Sequence, residues 1–266
     1  MKKINVTLSL LLTALLLTSC ASVPLTGRNR VMLVSDNEVL ASSLAQYKEY
    51  MGTATRSTDA TKTAMVQRVG KKIATATEQF LKDNGLASEV ALYSWEFNLV
   101  KDPEMNAFCM PGGKIVVYEG ILPLCSTDAD LAVVIGHEVA HAVAKHSNER
   151  LSQQLLAQYG SAIVSMALSG RSEAAQQLGQ TVYGLGAEYG VMLPFSRKHE
   201  SEADYMGLIF MAMAGYDPSV AITFWQKMAA AGGSGVPAIL SSHPSDEKRI
   251  ADIKKNLPKV EQFCKK

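Results

Sequence analysis

The chain has 266 residues, of which 47% are hydrophobic, so it can bury one sizeable catalytic core but not two large domains. Its 26 Lys and Arg residues balance 25 Asp and Glu residues. This balance gives no electrostatic reason to expect a strongly acidic partner, and no nucleic-acid partner is predicted.

The first 19 residues are predicted to be a signal peptide. Two lysines precede an apolar stretch, Ile4–Leu17, that is too short to span a bilayer comfortably. The segment Leu17–Ala21 resembles the bacterial lipobox, in which the cysteine, here Cys20, is lipidated and becomes the mature N-terminus. We therefore expect a lipoprotein of the bacterial cell envelope, anchored through Cys20 at the periplasmic face of the outer membrane. The alternative is a plain signal peptide in which Cys20 is incidental.

Two amphipathic helices are predicted next. Apolar residues recur at helical spacing over residues 36–51 and again over residues 61–81, and a Gly/Thr/Ser-rich linker over 52–60 separates the two segments. Neither helix carries evident chemistry.

A small antiparallel sheet and a buried helix are predicted in the middle of the chain. Residues Val90–Val100 and Ile115–Tyr118 are rich in β-branched and aromatic types, and Pro111–Gly113 predicts a turn between them. Ser126, Thr127 or Asp128 can cap a helix whose apolar run starts at Leu131.

The remaining chain is predicted to be helical. Polar residues interrupt Leu151–Leu193, so this segment lacks the roughly 18 uninterrupted apolar residues of a membrane span and is expected to cover the site. Further helices are expected over residues 196–214, where Gly215 supplies a stop, and over 218–230 and 244–255.

The motif His137-Glu138-Val139-Ala140-His141 is the strongest chemical signal. On a helix, residues four apart share a face, so both imidazoles can bind one Zn²⁺ at about 2.1 Å. Glu138 can then act as the general base that takes a proton from the attacking water. The alternative is a buried helix with two hydrogen-bonded histidines, and Gly136 next to the motif favours the metal site because bulk is low there.

A third ligand is expected from the helix after Ser196. Glu200 and Asp204 share one face of that helix, and a carboxylate pair on an otherwise apolar face is costly to bury unless it binds a metal or a ligand. We assign Glu200 to zinc and Asp204 to the free N–H of a zinc-bound histidine, although spacing alone leaves the swapped roles open. His146 and His199 are expected to be structural.

These motifs resemble metallopeptidase family 48, the family of HtpX and the CAAX prenyl endopeptidases, and most closely its compact periplasmic lipoproteins of the LoiP and BepA type. The matching elements occur in the family's order and cover nearly the whole mature chain. They are Val23–Arg28, Asn106–Phe108, Pro111–Ile115, His137–His141, Ser196–Asp204, and Ser242–Pro244 with Arg249.

The resemblance implies an α+β fold, mostly helical, of the gluzincin-like HExxH zincin type with a small antiparallel sheet. It places the third ligand of a single zinc ion at Glu200. It also puts His243 near the metal, as a latch or an oxyanion stabiliser, and Arg249 close to the substrate. Asn106, Ala107 and Phe108 are expected on an edge strand that pairs with an extended peptide.

The expected organisation is a signal peptide (1–19), a tether and helix (20–60) and a catalytic domain (61–266). The expected function is zinc-dependent hydrolysis of peptide bonds in unfolded or misassembled envelope proteins. The alternative is a latched zinc-containing chaperone or binding module with little proteolysis. Cys109 and Cys125 could form a disulfide, which the sequence does not decide.

Overall fold

The computed structural model of the chain describes residues 20–187, 193–231 and 247–264. Within these ranges the chain is mostly helical. The helices are α1 (Asp36–Thr53), α2 (Ala60–Asp83), α3 (Asp128–Val143), α4 (His146–Leu168), α5 (Glu173–Ala187), α6 (Leu193–Met213), α7 (Val220–Ala231) and α8 (Glu247–Val260). The strands are β1 (Cys20–Ser22), β2 (Asn29–Val31), β3 (Glu96–Val100), β4 (Ala107–Met110) and β5 (Lys114–Tyr118). The predicted class, α+β and mostly helical with a small sheet, is confirmed.

The described chain forms two compact units. The first unit contains the residues up to Val39 together with Lys145–Ser196, and the second contains Leu40–Ala144 and the chain from Arg197 onwards. The boundary predicted at residue 61, between the tether with its helix and the catalytic domain, stays a prediction.

In the first unit, a short hairpin is fastened to α4. Strands β1 and β2 pair antiparallel, and Gly27 in their turn has a φ of +65°, which favours glycine. Arg28 donates two hydrogen bonds, of 2.8 and 2.7 Å, to the Glu149 carboxylate. The Val23–Arg28 motif therefore has a structural role, since it ties the start of the described chain to α4.

In the second unit, the sheet is mixed, so the expected antiparallel sheet is wrong in one pairing. The strand order is β3-β5-β4, with β4 antiparallel and β3 parallel to β5. The physical reason is that the chain reverses twice between β3 and β5, once before and once after β4, which restores the direction of β3. Strand β4 thereby becomes an edge of this sheet.

Helix α3 begins with a capping box. The Thr127 hydroxyl accepts a hydrogen bond from the Asp130 backbone N–H, and the Asp130 carboxylate accepts one from the Thr127 backbone N–H. From Asp130 to Ala140 every residue of α3 is buried. The helix that carries the HExxH motif is thus fixed at its start and enclosed along its length.

Helices α3 and α6 approach each other closely at two glycines. A Cβ atom built on Gly207 of α6 would lie 2.9 Å from the His137 backbone nitrogen and 3.0 Å from the Gly136 carbonyl carbon of α3. A Cβ atom on Gly136 would lie 3.0 Å from the Gly207 carbonyl oxygen. Only glycine allows this separation of the two backbones, and the contact brings His137 next to α6.

Alanine at Gly207 should strongly destabilise the protein, because its Cβ would meet backbone atoms that cannot move independently of α3. We expect the free energy of unfolding to fall by about 2 kcal/mol or more. Denaturant unfolding followed by circular dichroism measures it.

The matched control is Gly52→Ala in the last turn of α1, where a Cβ meets no atom within 4 Å. This variant should be as stable as the parent chain or slightly more stable. Equal stability of the two variants would show that the glycine contact does not constrain the helices.

Candidate metal centre

Three potential metal ligands converge between α3 and α6. The Nε2 atoms of His137 and His141 are 3.0 Å apart, and the Glu200 carboxylate oxygens lie 3.2 Å from the first and 3.3 Å from the second. A tetrahedral zinc ion with bonds of about 2.1 Å holds neighbouring ligand atoms about 3.4 Å apart. The His-His-Glu cluster therefore fits a single metal ion.

The cluster is enclosed on one side and accessible on the other. The His137 side chain is only 4% exposed, whereas that of His141 is 14% exposed. A small molecule or a peptide group would therefore reach the cluster from the His141 side.

Asp204 and Arg249 lie behind His137. The Asp204 Oδ1 atom is 2.9 Å from His137 Nδ1, as expected for a carboxylate that orients a metal-binding histidine. The guanidinium of Arg249 donates to both oxygens of Asp204 at 2.7 and 2.6 Å, and its Nη1 lies 3.6 Å from Glu200. Arg249 is only 5% exposed.

This arrangement shifts two pKa values. Burial raises the pKa of Asp204, but the charge of Arg249 and the His137 hydrogen bond outweigh it and hold the pKa below its ordinary value. Burial and Arg249 lower the pKa of His137, but hydrogen bonds to Asp204 and Glu200 raise it to about 9. A metal ion binds the Nε2 atom of a neutral imidazole, whose Nδ1–H can then donate to Asp204.

Trp225 of α7 belongs to the site, and the sequence did not indicate it. The Cζ atom of Arg249 lies 3.5 Å from the centre of the Trp225 ring, which is 1% exposed, and the His137 ring packs edge-on against the same indole at 6.0 Å. An aromatic face stabilises a buried guanidinium and fixes its plane. An aromatic residue in an apolar helix usually indicates core packing, so no local signal separated Trp225 from the core.

Glu138 faces the sheet. It is 3% exposed, and its Oε2 atom accepts a hydrogen bond of 3.2 Å from the backbone N–H of Cys109 in β4. Burial and the nearby Glu138 charge raise the pKa of the Cys109 thiol well above its usual range, so the thiol is protonated. Cys109 therefore contributes its backbone to this site and not a thiolate.

The predicted substrate strand is β4 with the residue before it. Asn106 and Met110 accept backbone hydrogen bonds from the β5 side, from Tyr118 and Gly113, so the intervening N–H groups of Ala107 and Cys109 point away from β5. The Ala107 N–H donates to Asn106 Oδ1 at 2.9 Å. The Phe108 ring instead packs edge-on against Tyr50 at 5.3 Å and has a structural role.

The other predicted residues have different outcomes. His243 lies outside the described residues. Cys20 forms part of β1, and its lipidation stays a prediction. Cys109, Cys125 and Cys264 are free thiols. The ligand cluster includes neither His146 nor His199.

Comparison with known proteins identifies the family. A family model described as peptidase family M48 matches residues 60–257, about three quarters of the chain. The mitochondrial metalloendopeptidase OMA1 of Schizosaccharomyces pombe is 43% identical over 63% of this chain and 48% of its own length. The human OMA1 metalloendopeptidase is 29% identical over 91% and 47%, and the Escherichia coli β-barrel assembly-enhancing protease is 30% identical over 60% and 34%.

These matches confirm the predicted resemblance. The chain spans about half the length, or less, of these three relatives. Members of family M48 are zinc-dependent metallopeptidases, and the His-His-Glu cluster fits one zinc ion.

The predicted localisation is wrong. The sequence indicated a lipoprotein at the periplasmic face of a bacterial outer membrane, whereas relatives from fungi, a plant and animals are named as mitochondrial enzymes. The lipobox pattern spans only a few residues, and the comparison over most of the chain outweighs it.

Replacing Trp225 with leucine should weaken zinc binding, because the Arg249 guanidinium loses the ring that fixes its plane and Asp204 then holds His137 less firmly. We expect the zinc dissociation constant to rise by about tenfold or more. Competition with a chromogenic chelator measures it.

Two variants control for a general loss of packing. Trp225→Phe keeps an aromatic face and should largely restore zinc affinity. Phe224→Leu alters a fully buried neighbour in the same helix, and should lower stability while leaving zinc affinity within about twofold. If Trp225 has only a structural role, the Trp225→Leu and Phe224→Leu variants should bind zinc with the same affinity.

Proposed function

The chain belongs to peptidase family M48, and on that premise we propose that it is a zinc-dependent endopeptidase. In this proposal His137, His141 and Glu200 hold one zinc ion, and Glu138 is the general base. The observation that supports it most strongly is the convergence of the three ligand atoms, with the buried Glu138 next to His137 in the same helix. These are the groups that metal-assisted peptide hydrolysis requires.

Each residue has a defined task in the reaction. Zinc, when bound, supplies a Lewis acid that polarises the scissile carbonyl and makes water a better nucleophile. Glu138 takes a proton from the attacking water and delivers it to the leaving amine. In the chain without substrate, the Cys109 N–H holds the Glu138 Oε2 atom. Asp204 keeps the His137 ring turned so that Nε2 faces Glu200 and His141.

Arg249 acts in this proposal through Asp204. Its guanidinium is buried against Trp225 and bonded to both Asp204 oxygens. It neutralises that carboxylate and thereby holds the histidine that Asp204 orients. This differs from the role beside the substrate that the family resemblance implied.

The proposed substrates are unfolded or misassembled polypeptides. The Ala107 and Cys109 backbone N–H groups point away from β5 on the edge strand, where an extended peptide can add as a further strand. Main-chain pairing favours segments that are not already folded. The restriction to envelope proteins depended on the rejected localisation and is not retained.

Glu138→Gln should abolish peptide hydrolysis and leave zinc binding intact, because the amide is nearly isosteric but cannot accept the proton. We expect the turnover of unfolded casein to fall by about a hundredfold or more. Casein cleavage is measured with zinc content on the same samples, and a chelator should abolish the parent activity. Undiminished cleavage by Glu138→Gln in a clean preparation would refute this mechanism.

His243→Ala distinguishes the latched binding module from the enzyme. His243 lies outside the described residues, so its role as a latch or an oxyanion stabiliser stays a prediction. If the chain is a latched binding module, the parent should hold zinc but cleave little casein, and His243→Ala should increase casein cleavage. For an enzyme with a catalytic His243, the same variant should decrease cleavage.

A further inference from the structure

The helical hairpin of α4 and α5 is almost uncharged. From Leu151 to Ala187 the only charged residues are Arg171 and Glu173, which lie at the turn between the helices and at the start of α5. Charged residues make up 19% of the whole chain and about a quarter of an average soluble domain. A surface of this length without charge is unusual for a protein face that remains in water.

Large apolar side chains are exposed on both helices of the hairpin. Five of them expose between 61% and 76% of their surface: Tyr159, Ile163, Met166, Leu178 and Val182. They recur at spacings of three or four residues within each helix, so each helix presents one stripe. Contiguous exposed apolar surface of this kind marks an interaction site.

The two stripes emerge on the same side of the hairpin. The helices are antiparallel and contact each other through Gly160 with Tyr183 and through Gly179 with Leu168. Successive residues of a helix are roughly 100° apart around its axis. In each helix, the exposed apolar residues lie roughly 120–150° around the axis from the residues that contact the other helix, and the sense of this rotation along the chain is the same in both helices. Antiparallel helices turn in opposite senses when viewed from one end, so equal offsets place both stripes on one side. Together they form a single surface, here called the apolar stripe.

The opposite side of α4 is polar but uncharged, with exposed residues such as Gln154 and Gln158. None of the helices among the described residues combines the length and the hydropathy that crossing a bilayer requires. An amphipathic surface of this composition can lie in a membrane interface, with its apolar side chains between the lipid chains and its neutral polar side chains towards water.

We propose that the apolar stripe docks the first unit onto the surface of a lipid bilayer by hydrophobic insertion. Lipid is favoured over a protein partner because the stripe carries no charge, and the only charged residues between Leu151 and Ala187 are Arg171 and Glu173 near the turn, whereas protein interfaces typically have a polar rim and are enriched in Arg.

Vesicle flotation tests the proposal. The protein used is residues 20–266 with the substitution Cys20→Ser, which includes every residue that the structure describes and cannot be lipidated at position 20. The parent should bind phosphatidylcholine vesicles, bind small sonicated vesicles more tightly than large extruded ones, and be insensitive to salt, because the stripe offers no charge to screen. Ile163→Gln with Met166→Gln should lower the partition coefficient by about tenfold or more. Leu178→Gln with Val182→Gln should lower the partition coefficient similarly, because the residues from both helices belong to the apolar stripe.

The matched control is Gln154→Ser with Gln158→Ser, which changes two exposed residues on the polar side and should leave vesicle binding unchanged. Zinc content and thermal unfolding of every variant verify that the chain is folded.

Three outcomes would overturn the proposal. One is that the folded parent does not float with vesicles, or that the stripe variants float as well as the parent does. Another is binding that requires anionic lipid and disappears in salt. The third is a dimer in light scattering that Ile163→Gln with Met166→Gln dissociates, without vesicle binding, which would make a second copy the partner.

Discussion

The close approach of α3 and α6 at Gly136 and Gly207 is the constraint on which the metal cluster depends. His137 directly follows Gly136, and Glu200 lies two turns before Gly207 on one face of α6. A Cβ atom at Gly207 would come within 2.9 Å of the His137 nitrogen, so any other residue there would push the helices apart. Ligand atoms now within 3.3 Å of one another would then no longer share one ion.

Charge compensation makes this crowded interior possible. Glu200 and Asp204 are both buried, and burying two carboxylates is costly unless positive charge is close. Arg249 supplies one positive charge through its bidentate contact with Asp204, and the indole face of Trp225 replaces part of the water that the guanidinium has lost. A divalent cation at the His-His-Glu cluster would compensate the remaining carboxylate. Four helices, α3, α6, α7 and α8, thus contribute to one electrostatic unit.

Local spacing predicted the two histidine ligands and the Glu200–Asp204 pair, the family resemblance chose Glu200 from that pair, and non-local packing determined the rest. The His137–His141 and Glu200–Asp204 spacings each lie within one helix, where the 3.6-residue period indicates which side chains share a face. Trp225 and the parallel pairing of β3 with β5 depend on contacts between segments far apart in sequence, which no local pattern encodes. Residues 151–187 had apolar residues at helical spacing, but whether those residues were buried or exposed depended on the packing of α4 against α5.

The edge strand connects the proposed base with the proposed substrate. The N–H groups of Ala107 and Cys109 both point away from β5, and side chains of the chain itself accept from them: Asn106 from the first, Glu138 from the second. A peptide that adds to β4 as a further strand would accept from these same two donors. Substrate pairing would therefore release the Glu138 Oε2 atom from Cys109 at the moment when that carboxylate has to turn towards the attacking water. In the proposed reaction, the free edge strand holds the base in reserve, and a correctly paired substrate frees it.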